Sequence, residues 1–448
     1  GLISAVYKRA FSIDLSSCLG SDDMSKSIPK PHNSGYVLAL AFCDYLKDKT
    51  GTPKAIMASQ QAMASHGISY VYLHSVKKTL FRDDQMLFCE FGVTVDGVEA
   101  GVFSIAQVCE ALCSWQKSGF SLLELHIHHL LYVSLEKVSE LLKVTGKTPV
   151  RAFLHDYYLC CTSYNLQNRS GFCDSSRLGD APCEKCPHFS NSLRVESKIQ
   201  GLFDSIKNLR FVAPSTYTKN RFLSFRPQYE GLVDVIPHQK LLGEYLGNRR
   251  PLNAGERIRV AFLGMPRKTK GWETWLRLVS AVDEQEYEFF VFNSSNDMYP
   301  GMNKRFVEFD EKHPNAMTDS LRECEIAIVV MWPSCPETYS YTCMESYSAN
   351  AYTISSACAG NVADFVVEHG SGLVLNNEEE LIGLFRDKSR LIREVNRFRS
   401  GKPGPLDLVD SDEIVDLLPC SSVGLNTGVH MHTRLIERVL LEVLNARS

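Results

Sequence analysis

Two glutamates stand eight positions apart in Pro336-Glu337-Thr338-Tyr339-Ser340-Tyr341-Thr342-Cys343-Met344-Glu345. The apolar run Ile326–Met331 precedes them and predicts a strand, with a Pro-Ser-Cys-Pro loop after it. Glu337 then falls at the strand's carboxyl end, and Glu345 one to two turns into the next helix. The backbone N–H groups around Ser340, Tyr341 and Thr342 open that helix, and such a terminus receives a diphosphate. A carboxylate ahead of it accepts hydrogen bonds from sugar hydroxyls, and the later one from a ribose. The same spacing also fits a plain helix start with an N-terminal acid and one exposed Glu.

A second candidate is Ile258–Gly271, reading IRVAFLGMPRKTKG. It predicts a strand, a tight turn at Gly264 and a basic loop before a helix. Arg267, Lys268 and Lys270 have the charge to neutralise a diphosphate leaving group; a solvated basic loop is the plainer alternative. His155-Asp156 ends the predicted strand Val150–His155. A histidine there can hydrogen-bond a sugar hydroxyl or support developing charge, or be structural. His126, His128 and His129 are expected to pack or bond locally, and Ser34-Gly35 to cap a helix over Tyr36–Leu46.

Five of the fifteen cysteines cluster between Cys160 and Cys186. Cys183-Glu-Lys-Cys186 has knuckle spacing. With Cys173 and Cys161, or Cys160 in its place, it would supply four thiolates for a structural zinc. Disulfides or free thiols are the alternatives. The remaining cysteines are scattered through apolar stretches and fit free thiols in a reducing, cytoplasmic setting.

These residues need elements to position them. The chain of 448 residues is too long for one ordinary core. Short apolar runs alternate with amphipathic stretches twice, over roughly 68–236 and 258–375. That is the signature of an α/β fold with two Rossmann-like doubly wound domains, whose ligands sit at the carboxyl ends of the strands. Val93–Val102 predicts a hairpin turning at Asp96-Gly97. Residues 237–257 read as a connector, 400–428 as irregular, and His432–Leu444 as a closing amphipathic helix.

The bulk numbers exclude some functions. A net charge of −4 gives no footprint for nucleic acid. No run of about 18 apolar residues predicts a transmembrane helix. Residues 1–11 are too short and mixed for a secretory signal.

The segment PETYSYTCMESYSANAYTISSACAGNVADFV resembles the signature of family-4-type GT-B glycosyltransferases, in the branch common among bacterial polysaccharide enzymes. The matching parts are Glu337, Glu345, the strand Tyr352–Ser355 and the loop Ala359-Gly360. Lys270-Gly271 matches the family's Lys-Gly. Met265 stands where the family often has Arg, so Arg267 is the substitute candidate. Phe211–Ser215, Val235–His238 and His155 resemble further family segments.

The resemblance implies an acceptor-binding domain over 1–235, a donor-binding domain over 236–428 and a closing helix over 429–448. It implies a retaining transfer from a nucleoside-diphosphate sugar to a glycan or lipid-linked acceptor, without a catalytic divalent metal. In it Lys270 and Arg267 hold the diphosphate with Gly264 and the helix start. Glu345 holds the ribose, Glu337 the sugar hydroxyls, and His155 assists from the opposite domain. A surface-glycan role would put the protein in the cytoplasm, at the inner face of the membrane through peripheral contact. Another GT-B nucleotide-sugar reaction (epimerisation or hydrolysis) and a degenerate, non-catalytic scaffold are the competing expectations.

Overall fold

The computed structural model describes residues 27–419, except 77–89, 169–170, 174, 176–177, 248 and 309–312. The closing helix expected over His432–Leu444 lies outside the described residues, as do residues 1–11.

The first sheet has eight strands: β1 (Gly35–Ala41), β2 (Ser69–Ser75), β3 (Glu90–Val95), β4 (Val98–Ser104), β5 (Ser121–Ile127), β6 (Val150–Phe153), β9 (Leu209–Ala213) and β10 (Val233–Val235). A separate pair, β7 (Gln167–Asn168) and β8 (Gly171–Phe172), forms a small ribbon between β6 and β9. The sheet order is β10-β9-β6-β5-β1-β2-β3-β4. Its strands run parallel up to β2, and β3 and β4 close the edge antiparallel. The hairpin joining β3 to β4 turns at Asp96 (φ 49°) and Gly97 (φ 82°), the left-handed pair that a two-residue turn demands.

Tyr36–Leu46 is not the expected helix but β1 and the loop after it. Tyr36 to Ala41 are all buried, so this strand is covered on both faces. A continuous apolar run of that kind has no period to separate strand from helix. Ser34-Gly35 therefore begins a strand. The helix that follows is Gly51–Ser65, with Thr50 at its N-cap position.

The second sheet comprises β12 (Ile258–Leu263), β13 (Tyr287–Asn293), β14 (Asn303–Phe306), β15 (Ile328–Met331), β16 (Tyr352–Ser356) and β17 (Gly372–Leu375). All pairs are parallel, in the order β14-β13-β12-β15-β16-β17. Renumbered from its first strand this is 3-2-1-4-5-6, the dinucleotide-fold order whose direction reverses between β12 and β15. Separate apolar clusters fill its two faces, one around Trp275 and Phe385, the other around Phe292 and Val366. Helices Glu378–Arg386 and Lys388–Ser400 add to the first of these.

Among the described residues the chain crosses between the domains twice. Going out, β11 (Gln239–Leu242) lies in the expected connector. Coming back, β18 (Asp407–Asp410) lies in the stretch expected to be irregular, and the two pair antiparallel. Lys240 also pairs with Asp412 at 2.6 Å. Beyond β18, Ile414 and Leu418 pack with Val37, Ile56 and Val212 of the first domain. The buried Arg151 guanidinium ties this segment down. It donates to the Leu417 carbonyl at 2.9 Å while paired with Glu124 at 2.7 Å and Asp234 at 3.3 Å.

The cysteine cluster does not assemble as the expected zinc site. Among the described residues no group of three metal-ligating side chains is placed to hold an ion. The Cys161 sulfur lies 3.4 Å from Ser192 Oγ and accepts the Ser163 N–H. Cys161, Cys173, Cys183 and Cys186 are free, with Cys161 and Cys183 raised in pKa, first by burial. Cys160, the alternative ligand, sits in the first-domain core with its thiol pushed up to about 12 by burial. Burial thus favours the neutral thiol at Cys160, Cys161 and Cys183.

Candidate functional site

The loops after β12 and β15 meet where the order of the second sheet reverses. Gly264 (φ 94°) turns the chain out of β12, its N–H held by the Phe292 carbonyl at 2.8 Å. A short turn over Lys268–Lys270 follows and ends at Gly271 (φ 83°). A Cβ at Gly271 would lie 2.0 Å from the Trp332 carbonyl oxygen just after β15. Glycine is thus required on both backbone and contact grounds, and it lets the two loops lie against each other. Ser334 locks them, with its N–H donating to Thr269 O and its hydroxyl to Lys268 O, both at 3.1 Å.

The consequence is an ion pair between the two sequence motifs: Lys270 Nζ lies 2.6 Å from Glu337 Oε1. Burial works against the Lys270 charge, but Glu337 outweighs it, and the lysine pKa is held above its usual value. The Glu337 backbone is pinned from behind by Ala359-Gly360. Its N–H donates to Ala359 O at 3.1 Å, and its carbonyl accepts the Asn361 N–H at 2.9 Å. A Cβ at Gly360 (φ 65°) would strike the Glu337 backbone at 2.7 Å, so that loop also needs its glycine.

Helix Tyr341–Ser348 starts beside this pair. Ser340 caps it by accepting the Cys343 N–H. Among the described residues the Tyr341 and Thr342 N–H groups have no acceptor. Glu345 lies on this helix, 9% exposed, with its pKa raised by burial and partly restored by Lys54. The Tyr341 hydroxyl is buried without a partner among the described residues. Arg267 occupies the same basic loop, ahead of Lys268.

The first domain faces this site with its own strand ends. Thr338, next to Glu337, donates from Oγ1 to the His155 carbonyl at 2.7 Å. The Thr338 carbonyl accepts the hydroxyls of Ser215 (2.8 Å) and Thr218 (3.0 Å). His155 therefore lies directly across from the Glu337 loop. Its Nε2 shares a hydrogen bond with His128 Nδ1 at 2.9 Å, and His128 Nε2 shares one with the Tyr70 hydroxyl at 2.8 Å. Rings continue across the boundary. His155 stacks on Phe153 and lies against His238, which stacks on Tyr341. Desolvation holds His128 and His155 well below the usual imidazole range, and takes His238 down to about 4. Both ends of the His155–His128 bond are thus neutral imidazoles. His126 and His129 bond locally, to Glu124 (3.0 Å) and Asp156 (2.6 Å).

Lys54 was missed by the sequence reading. It rises from the first turn of helix Gly51–Ser65 and places its ammonium 4.3 Å from the Tyr341 ring centre. Its charge reaches Glu345, His238 and Asp410. Recognising β1 as a strand would have shown that a helix start had to follow it. His128, expected to pack or bond locally, does bond to its neighbours, but its link to His155 was not foreseen, because it exists only once β5 and β6 are neighbours.

The cleft is closed. Besides the Thr338 contacts, Gln167 donates from Nε2 to Ser334 Oγ at 2.7 Å, and Lys49 pairs with Glu308 at 2.7 Å across the domains. Among the described residues no helix is long and apolar enough to cross a membrane.

No known protein family matches the sequence, and no curated protein matches it. Solved structures do match. Sucrose-phosphate synthase from Thermosynechococcus elongatus superposes with a TM-score of 0.51 at 12% identity, over 83% of this chain and 95% of that one. A glycosyltransferase from Rickettsia africae ESF-5 gives 0.48 at 10% identity, over 82% and 92%. The catalytic domain of starch synthase IV from Arabidopsis thaliana, bound to ADP and acarbose, gives 0.47 at 12%, over 83% and 96%. At such identities the likeness is one of fold. The chain has the GT-B fold: two doubly wound α/β domains facing each other across a cleft.

Proposed function

We propose that this protein is a retaining glycosyltransferase that moves a sugar from a nucleoside-diphosphate sugar to a hydroxyl of a glycan or lipid-linked acceptor. The observation that carries it is the Lys270–Glu337 pair at the reversal point of the second sheet, beside an open helix start and across from His155. A doubly wound sheet binds its ligand there.

Each group has a task that matches its surroundings. Lys270 and Arg267, with the Tyr341 and Thr342 N–H groups, neutralise the departing diphosphate, so no step requires a divalent metal. The Tyr341 hydroxyl and the Glu345 carboxylate are buried polar atoms that a nucleotide's ribose would satisfy. Glu337, pinned by its backbone, accepts hydrogen bonds from the sugar hydroxyls once the donor separates it from Lys270. The neutral His155 ring borders the transferred sugar. The bond from the anomeric carbon to the diphosphate breaks as the acceptor oxygen bonds to that carbon on the same face. The acceptor's proton leaves on the diphosphate. Neither glutamate serves as a nucleophile, in contrast to the paired carboxylates of glycosidases. A lipid-linked acceptor would bring the protein to the cytoplasmic membrane face as a peripheral partner.

The test is nucleotide release and product stereochemistry. Purified protein is offered UDP-, GDP- and ADP-sugars with and without acceptor glycans, and the new linkage is read by NMR. Acceptor-dependent release with retained anomeric configuration is the expected result. Release that ignores the acceptor would indicate hydrolysis or epimerisation instead. Failure of every nucleotide to raise the unfolding midpoint would sink the donor-site assignment.

A further inference from the structure

At the opposite ends of the second sheet's strands, away from the cleft, lies a cavity of about 410 Å³. It is bordered by the first residues of β12, the start of β13, the approach to β15 and the turn Ala349-Asn350. Six arginines line it: Arg249, Arg250, Arg257, Arg259, Arg322 and Arg399. Three glutamates accompany them, and these are unevenly shared. Arg250 takes Glu256, while Arg259 takes both Glu288 and Glu325.

The other arginines are held largely by neutral carbonyls. Arg249 donates to Gly401 O and Phe398 O, Arg257 to Tyr287 O and Arg399 to Arg250 O. Among the described residues none of these three has a carboxylate within ion-pair distance. Arg322 donates to Ser348 O and Leu406 O, with Asp319 at 3.5 Å. Arg249 and Arg322 each leave Nε buried without a partner among the described residues. Burial and then the neighbouring Arg250 and Arg249 work against the Arg399 charge, and Glu325 and Glu256 offset them only in part. Carbonyls fix these groups in place without cancelling them, so an anion entering the cavity meets ready-oriented positive charge.

We propose that this cavity is a second ligand site, separate from the cleft, for a small phosphate monoester carrying hydroxyl groups. The phosphate class follows from planar donors, which engage a tetrahedral dianion in pairs. The hydroxyl-bearing scaffold follows from the carboxylates on the same walls, whose oxygens have lone pairs for hydroxyls beyond those that Arg250 and Arg259 use. The cavity has the volume of a small-molecule site. Its turn Ala349-Asn350 directly follows helix Tyr341–Ser348, whose other end opens on the cleft.

Isothermal titration of the full chain with glucose 6-phosphate, inorganic phosphate and glucose tests this. Glucose 6-phosphate is expected to bind, glucose not, and the Lys270→Ala variant to bind as the parent does. Arg257→Gln should weaken binding by about tenfold or more. Arg257 is exposed and bonds a single carbonyl, so this variant keeps its fold. Arg399→Lys, which keeps the charge but loses the planar fork, should weaken it less. Unchanged affinity in Arg257→Gln, no heat from either phosphate compound, or loss of binding in Lys270→Ala would each overturn the site. Vesicles of phosphatidic acid in phosphatidylcholine form a second arm. Capture by them alone, lost in Arg257→Gln, would place the monoester on a lipid and overturn the soluble ligand.

Discussion

Lys270 and Glu337 neutralise each other across the two loops, so each is tested through the other. Lys270→Ala is expected to lower kcat by about 100- to 1,000-fold, as loss of a charge aimed at a leaving group does. The double variant Lys270→Ala/Glu337→Ala should lose less than the product of the single losses, because each single change strands its partner. Steady-state kinetics of the four proteins decides it; fully multiplicative losses would mean the pair acts as two unrelated groups. Glu345 presents the reverse situation. Its folded-state pKa is raised by burial, so the folded protein holds that proton more tightly than the unfolded chain. Stability then falls as pH climbs from about 4.5 through the folded value, and at pH 7 the charge is a burden. Glu345→Gln should raise the unfolding midpoint at pH 7, with the gain fading toward pH 4, while weakening nucleotide binding. A destabilised Glu345→Gln protein at pH 7 would refute that reading. Where Glu337 and Glu345 fall, past a strand's end and inside the next helix, was legible in the sequence because their spacing is local: a strand, a loop and a helix start lie within about twenty positions. The thiols were not. Cys183 and Cys186 have knuckle spacing, yet a ligand set depends on where the Cys161 sulfur points, and it lies against Ser192.

Among the elements, the strands of the first domain and the start of the connector bring four desolvated histidines together. His126, His128, His155 and His238 all have lowered pKa values. In the unfolded chain each takes a proton near pH 6.5, whereas in the folded protein each stays neutral below that. Their stabilising contribution is complete above about pH 6.5 and is lost as the pH falls, at a limiting slope of about 1.4 kcal/mol per pH unit for each group. The unfolding midpoint should therefore drop between pH 7.5 and 5.5, and less so in His128→Phe. An unchanged slope in that variant would argue against the His155–His128–Tyr70 chain as its source. None of this is visible in the sequence, where His128 and His155 are 27 positions apart. The alternation over 258–375 was legible, since each strand is short and ends at a polar loop. The misread element is Tyr36–Leu46, where burial on both faces erased the period that distinguishes strand from helix.

For the whole molecule, the cleft contacts set how readily a donor enters. Thr338 joins His155, Ser215 and Thr218, so one side chain and its carbonyl bridge both domains. Thr338→Val removes the hydroxyl bond but keeps the carbonyl ones. Loss of about 1 kcal/mol of closure shifts the open-to-closed ratio about fivefold. Small-angle scattering should then show a larger radius of gyration than the parent's, reversed by donor. Superimposable profiles would show that Thr338 does not hold the cleft shut.

The pairing of β11 with β18 has a further consequence. Leu242 and Asp407 are partners in its register, so the chain leaves for the second domain and returns at the same spot. Ile414 and Leu418 then complete the core that β1 began. Among the described residues the second domain is topologically a long insertion in a loop of the first, spliced into the tip of a two-stranded ribbon. Excising 243–406 and joining Leu242 to Asp407 through an Asn-Gly turn should leave an autonomous first domain that melts as one cooperative unit. Simple truncation after Leu242 removes Ile414 and Leu418 and should give a weaker fold.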